Sequence, residues 1–261
     1  MIAEDPVLSL RLARDARDLM AAQRLRYEVF VNELGANGPL VDHAARLERD
    51  EFDPWFDHLL LIDSRRDPAE LQDVVGVYRL LPPEGAALAG RYYSESEFDL
   101  TVLRASGRRL LELGRSCVHP SARGGAGLFL LWNGLAEYVL ERGIEVMFGA
   151  ASFHGTNAKI LAQPLAFLHH FHCSPPDLRV SARAAGRQEM GLLPMEQVDR
   201  TQAMAGIPAL IKAYLRLGGH VSDGAYIDRD FNTIDVCLVM DTVTMSARHR
   251  AFYIRKNGRE G

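Results

Sequence analysis

Apolar and polar residues alternate over 7–13, the period of a half-buried strand. The period then changes. Ala16, Leu19, Met20, Tyr27, Phe30, Val31 and Leu34 recur at helical intervals and predict one amphipathic helix with a single core stripe. Asp15 is placed to cap it, with Asp18 three residues on as a shortened capping box, and Gly35 stops it in the GANGP turn. Two apolar runs, HLLLID over 58–63 and DVVGVYRLL over 73–81, flank the polar SRRDPAEL turn and predict a strand pair. A strand over 111–119, a helix over 128–142 and a strand over 143–152 follow. Next come a helix over 157–172, a polar stretch to 200, the glycine-stopped helix PALIKAYLRLGG, and two strands, GAYID and IDVCLVMDTV. No repeat, low-complexity tract or linker separates two cores. The pattern predicts an α/β fold in one domain over 1–261: a mixed central sheet with flanking helices and an inserted helical and polar segment at about 157–205.

Composition narrows the classes. With 48% hydrophobic and 25% charged residues among 261, this is an ordinary globular chain with ample core. A net charge of −4 gives no footing for nucleic-acid binding. Three well-separated cysteines, Cys117, Cys173 and Cys237, leave one unpaired in any disulfide scheme, which points to a reducing cytoplasm. Acids stand where a signal peptide needs positive charge, and no run of 18 apolar residues occurs. Peripheral contact with a membrane stays open, because the stretches ILAQPLAFL and PALIKAYL suit either a core or a bilayer surface.

The stretch ELGRSCVHPSARGGAGLFLLW, 112–132, carries the most chemistry. It reads as strand, glycine turn and helix start, a layout in which free backbone N–H groups cradle a phosphate. The turn departs from the acyl-CoA loop Arg-x-x-Gly-x-Gly/Ala, since Ala126 and Leu128 stand third and fifth after Arg123. His169, His170, His172 and Cys173 cluster, but no second ligand pair lies at zinc spacing, so no metal is expected. Cys117 reads as packing and not as a nucleophile. Arg104, Arg108, Arg109 and Arg142 border the motif and offer either a solvated face or a basic docking rim.

The order of elements resembles the GCN5-related N-acyltransferase (GNAT) fold. RLRYEVFVNELGA, ERDEFDPWFDHLLLID, VVGVYRLLP and ELGRSCV are similar to the acyl-homoserine-lactone synthases. There the matching positions, here Arg26, Phe30, Asp50, Asp53, Arg79, Glu112 and Arg115, form the active-site wall. The aromatic residue those synthases carry after the Phe is absent, since 34–36 reads Leu-Gly-Ala. LGRSCVHPSAR, FGAASFHGTN, PALIKAYLRLGG and DGAYIDRDFNTIDVCLVM are similar to bacterial ornithine N-acyltransferases, some of which carry a hemolysin label. That resemblance implies transfer of a 3-hydroxyacyl group from acyl carrier protein to L-ornithine, giving lyso-ornithine lipid. It implies no cofactor beyond the donor's acyl-phosphopantetheine.

The residues then take expected roles. Glu112 is the base that deprotonates the amine and Arg115 its neighbour on the catalytic strand, brought alongside by a bulge. Cys117, Val118, His119, Arg123, Gly124, Gly125 and Gly127 hold the donor, whose arm carries one phosphate in place of the pyrophosphate of coenzyme A. Arg26, Phe30, Asp50, Asp53 and Arg79 hold the acceptor, with the arginines facing its carboxylate and the aspartates its second ammonium. Three alternatives stay open: a homoserine-lactone-type signal synthase, an acyl-CoA-dependent transferase acting on another amino acid, and a non-catalytic membrane-active protein.

Overall fold

The computed structural model describes residues 7–38, 41–123 and 126–243. These residues fall into two compact units, and the chain visits each twice. The first unit comprises 7–90 and 113–143, the second 91–112 and 144–243.

In the first unit, β1 (Leu8–Leu12) pairs antiparallel with β2 (Asp57–Asp63), and β2 pairs antiparallel with β3 (Val74–Leu81) through a register shift at Leu61/Ile62. Strand β4 (Leu110–Val118) lies next in order and belongs to both units. Every residue of β3 is buried, the charged Arg79 included. Helix α1 (Ala16–Arg26) is capped as expected, the Asp15 side chain accepting from the Asp18 amide at 2.9 Å. Asp18 also receives the Arg11 guanidinium, which ties α1 to β1.

The helix after α1 departs from expectation. A continuous 3.6-residue period over 16–34 selects Met20 and Leu34 for the core, yet they are 42% and 44% exposed, and Ala16 is exposed too. The buried face is Ala21, Ala22, Leu25 and Val29, packed on Leu60, Val74, Val77 and Cys117. Two causes act together. The chain switches at Tyr27 to a π-helix, Tyr27–Glu33, whose wider turn rotates every later side chain. The charged Asp18 and Arg26 are buried because each has a partner, which apolar spacing cannot register. Gly35 ends the segment at φ +77, as expected.

Helix α2 (Ala126–Glu141) lies on the first unit's sheet with Leu131, Gly134 and Leu135 buried. In the second unit, β4 gives β5 (Val146–His154) a parallel ladder of only three pairs, Leu110↔Val146 to Glu112↔Phe148. The remaining strand pairings there are antiparallel. The nine residues of β7 (Thr233–Asp241) run against β5, β6 (Ala225–Asp228) pairs with β7, and Arg187–Gln188 adds an edge to β6. The sheet is therefore mixed. Helices α3 (Ala162–His172) and α4 (Ala209–Arg216) bury Leu165, Ala166 and Leu168, and Ile211 and Tyr214, respectively. Among the described residues no helix is long and apolar enough to cross a membrane.

Gly134 sets how closely α2 approaches the sheet. A Cβ there would lie 1.9 Å from Leu10 Cδ2 and 3.4 Å from Leu59 Cδ2. Overpacking of this kind costs about 1–3 kcal/mol, against a gain of about 1 kcal/mol in helix propensity. Gly134→Ala is therefore expected to lower the unfolding free energy, and shortening Leu10 to Ala in the same chain should recover part of it. Denaturant melts of the three chains test this. A stabilised single variant would show that α2 does not rest on Leu10.

Candidate active site

Three arginines and three carboxylates of the first unit form a single ion network. Arg26, the last residue of α1, donates through Nε to Glu48 and through Nη1 to Asp53 Oδ1 at 2.5 Å. Arg79 of β3 donates through Nη1 to Asp50 Oδ2 at 2.6 Å and Asp53 Oδ1 at 2.9 Å, and lies 4.1 Å over the Phe56 ring. Arg115 reaches Glu48 Oε1 at 3.2 Å and Asp50 Oδ2 at 3.6 Å. Gln23 completes Asp53 by donating to Oδ2 at 2.9 Å. Arg26, Arg79, Glu48 and Asp53 are buried, whereas the side chains of Asp50 and Arg115 are 10% and 14% exposed and form the network's wet edge.

Local structure explains these positions. Asp53 opens the 3-10 turn Asp53–Trp55, and its carboxylate also accepts from the Asp50 amide at 3.3 Å, which closes the loop on itself. Glu48 sits in the short hairpin strand Leu47–Glu48, opposite Val41. Arg115 stands at φ +47 inside β4, a left-handed residue in a strand. Such a conformation costs about 1–2 kcal/mol for a residue with a side chain.

The charges hold one another ionised. Burial opposes charge on Glu48, but Arg26 and Arg115 outweigh it and hold the carboxyl at about 2. Burial likewise opposes charge on Asp53, and Arg26 with Arg79 pulls it well below the usual carboxylate range. Despite full burial, Glu48 and Asp53 raise Arg26 above its ordinary value. His58 lies beneath, its Nε2 donating to the Asp53 carbonyl at 3.0 Å. Burial, aided by Arg26 and Arg79, pushes this imidazole down to about 4.

Phe30 is half-buried and packs against the α1 core cluster that includes Cys117. Burial raises the Cys117 thiol far above its ordinary value, in keeping with a packing residue. The His119 amide donates to the Val75 carbonyl at 2.8 Å. Its Nδ1 accepts from the Ser121 amide at 3.1 Å. Arg123 donates to the Val118 carbonyl through Nε at 2.9 Å and to both oxygens of Glu33 at 2.6 and 2.5 Å. Gly124 and Gly125 lie outside the described residues. Gly127 is buried, and a Cβ on it would meet the Ala122 carbonyl oxygen at 2.8 Å, so close approach of helix and turn requires glycine there.

Glu112 belongs to the second unit, and the other named residues to the first. It is buried, and its carboxylate accepts from the Tyr93 amide at 2.6 Å, the Ser94 amide at 2.7 Å and the Ser94 hydroxyl. The bordering arginines are already committed. Arg104 pairs with Glu95, Arg108 with Asp241, and Arg142 with Asp57 while lying over Tyr138. In the histidine cluster, His170 Nε2 meets the Leu193 carbonyl at 2.8 Å. Glu97, Asp228 and Asp235 stand close enough to share a cation, a grouping that their scattered positions conceal. Sequence reasoning also missed Glu48, Gln23, Phe56 and His58. The available signal was Glu48 two residues before Asp50, on the same side of an extended segment.

The lowered His58 value fixes a pH dependence. The folded imidazole stays neutral below 6.5, its ordinary value, while the unfolded chain takes up the proton. Stability is therefore full above about pH 6.5 and falls as pH drops towards 4. His119 and His172 shift in the same direction, so the comparison is between wild type and His58→Gln. Between pH 6.5 and 5 the variant is expected to lose about 1.5 kcal/mol less than wild type. Parallel stability curves would show that His58 titrates normally.

Comparison with known proteins places the chain. The model of the acetyltransferase (GNAT) domain matches residues 25–133. An L-ornithine N(alpha)-acyltransferase of Rhodobacter capsulatus is 59% identical over 95% of each chain. Proteins of the same name from Rhizobium meliloti and Brucella abortus are 41% and 40% identical, covering 97% and 94% of this chain and 86% and 88% of theirs. Two solved acyl-homoserine lactone synthases share the fold. LasI is 15% identical with a TM-score of 0.50, over 94% of this chain and 93% of its own. The CoA-dependent enzyme BjaI, solved with SAM and isopentyl-CoA, is 16% identical with a TM-score of 0.50, over 94% and 83%. With a GNAT-type fold and relatives this similar along nearly its whole length, the chain is an acyltransferase and belongs to the bacterial L-ornithine N(alpha)-acyltransferase family.

Proposed function

We propose that this protein transfers a 3-hydroxyacyl group from acyl carrier protein to the α-amine of L-ornithine, giving lyso-ornithine lipid. The observation that carries the reading is the 59% identity, over nearly all of both chains, to a protein named for ornithine acylation. The geometry agrees with a small zwitterionic acceptor. Asp50 and Arg115, 3.6 Å apart, set an anion and a cation side by side at the network's wet edge. In this reading Asp50 receives the side-chain ammonium and Arg115 the α-carboxylate, while the inner Arg26, Arg79 and Asp53 position them, and Phe30 backs the helix. The donor occupies the turn from Cys117 to Gly127, including Gly124 and Gly125.

In the reaction the neutral amine nitrogen attacks the thioester carbon, the C–N bond forms and the C–S bond breaks. The ammonium gives up one proton before attack, which passes to the base and on to solvent, and the nitrogen gives up a second after the C–N bond forms, which the departing pantetheine thiolate takes up. Glu112 is assigned as the proton acceptor, working through a water. Acyl carrier protein is cytoplasmic, so the reading places the reaction there, with the lipid product passing to the membrane's inner face.

Two expectations follow from these roles. Glu112→Gln should slow single-turnover acyl transfer by about a hundredfold or more, the usual contribution of a positioned base. Ser94→Ala removes one donor to that carboxylate and keeps the charge, so it should retain most of the rate. Equal losses in the two variants would reduce Glu112 to an anchor for 93–96.

Asp50→Asn should raise the ornithine KM about tenfold, the effect of losing one charge-assisted hydrogen bond, and leave the donor KM unchanged. Wild type should prefer ornithine to glycine and glutamine, and acyl carrier protein to the matching acyl-CoA. Steady-state kinetics on each pair, with mass spectrometry of the lipid formed, decide the matter. Equal use of glycine would overturn the acceptor, and equal use of acyl-CoA the donor.

A further inference from the structure

Three arginines lie on the two turns at the donor end of the first unit. Arg65 and Arg66 occupy the turn between β2 and β3, and Arg123 closes the turn after β4. Arg65 is neutralised by both oxygens of Asp63, at 2.9 and 2.8 Å. Arg123 is neutralised in the same bidentate way by Glu33. Arg66 has no carboxylate within ion-pair distance among the described residues. Asp67 and Glu70 share its turn, but Asp67 accepts from the Ala69 amide at 2.8 Å. The Arg66 amide donates to the Asp63 carbonyl at 3.1 Å, which holds the residue in place.

The half-buried Arg66 reaches across to the donor turn, where its Nη2 lies 3.5 Å from His119 Nε2. The protonation of that ring follows from its other nitrogen. A backbone N–H is always a donor, so Nδ1, which faces the Ser121 amide at 3.1 Å, is an acceptor, and the Ser121 hydroxyl, 2.7 Å from the same nitrogen, donates to it as well. Burial and the Arg66 and Arg123 charges lower the imidazole, against the opposing pull of Glu28 and Glu33, so the ring is neutral at neutral pH. A neutral ring that accepts at Nδ1 carries its proton on Nε2. Two donors, His119 Nε2–H and Arg66 Nη2–H, therefore point into one small volume and cannot satisfy each other. An anionic oxygen satisfies both.

We propose that Arg66 and His119 together bind one phosphate oxygen, and that this pair, not the neutralised Arg123, supplies the cationic recognition of the donor's pantetheine phosphate. The ligand class is an organic phosphate monoester or diester with one phosphate near the turn. The proposal rests on the reading that the donor occupies the turn from Cys117 to Gly127. It adds a residue from a different turn, 53 positions earlier than His119.

Calorimetric titration of the full chain with 4′-phosphopantetheine, pantetheine and inorganic phosphate tests it without catalysis. Wild type should bind phosphopantetheine more tightly than pantetheine. Arg66→Gln should weaken phosphopantetheine about tenfold or more, the worth of a charge-assisted hydrogen bond, and leave pantetheine unchanged. Arg65→Gln, which removes a neighbouring charge that Asp63 already neutralises, should bind phosphopantetheine almost as wild type does. Nitrogen NMR should show the His119 proton on Nε2, with its resonance moving when phosphopantetheine is added. Weak binding of inorganic phosphate that Arg66→Gln abolishes also supports the pair. Equal binding of the two pantetheines by wild type overturns the proposal, and so does a loss on Arg65→Gln matching that on Arg66→Gln. The function is judged separately. Ornithine acylation with normal binding by Arg66→Gln sinks only this site, whereas phosphopantetheine binding without ornithine acylation sinks only the proposed function.

Discussion

Arg26, Arg79 and Arg115 share one largely dry volume with Glu48, Asp50 and Asp53, and the architecture of the first unit follows from keeping those charges matched. Desolvating a single ion in a protein interior costs several kcal/mol, so each member is tolerable only while its partners stay in reach. The network sums to zero charge. It gathers the end of α1, the 47–48 hairpin strand, the 53–55 turn, β3 and β4, which are far apart in sequence. Removing one carboxylate strands a buried guanidinium, a loss of about 3–5 kcal/mol, whereas removing a matched pair costs far less. Such a network contributes little net stability, and its effect is to fix one geometry.

That geometry is bought with local irregularity. Arg26 is the last α-helical residue, and the π-helix starting at Tyr27 turns Val29 into the core while Glu33 faces Arg123. Within β4, Arg115 takes a left-handed conformation that most strand residues avoid, and its guanidinium meets Glu48 and Asp50. Both irregularities lie where charged groups require a direction that regular secondary structure does not provide.

The legible part of the sequence is the part governed by period and punctuation. The paired runs at 58–63 and 73–81, the Asp15 cap and the Gly35 stop appear within a residue or two of their expected places, because each depends on neighbours in sequence. The α1 stripe differs from the apolar pattern because apolar counting treats every charge as outward facing, and Asp18 and Arg26 are inward facing and paired. The resemblance picked out Arg26, Asp50, Asp53, Arg79 and Arg115, and the structure gathers these five into one network. It gave no reason to include Glu48, which carries two of the network's ion pairs. Nor does composition tell a committed arginine from an open one. Arg65 and Arg66 are adjacent and chemically identical, and only the fold puts Asp63 against the first and His119 against the second.

The same distinction bears on how a zwitterion would be recognised. A network of zero net charge exerts little long-range pull on a ligand, so selectivity arises at its boundary, where individual charges still face water. There Asp50 and Arg115 stand side by side with opposite sign, each held from behind by a buried partner, Arg79 and Glu48 respectively. Because the partners fix both side chains, a ligand does not have to order them on binding, and less of its interaction energy is lost to side-chain entropy. A free surface pair of the same residues would collapse on itself and contribute little. Under the proposed function the buried Arg79 and Glu48 act on the acceptor without touching it: they hold two opposite charges, 3.6 Å from each other, at the edge where an amino acid presents its own two charges.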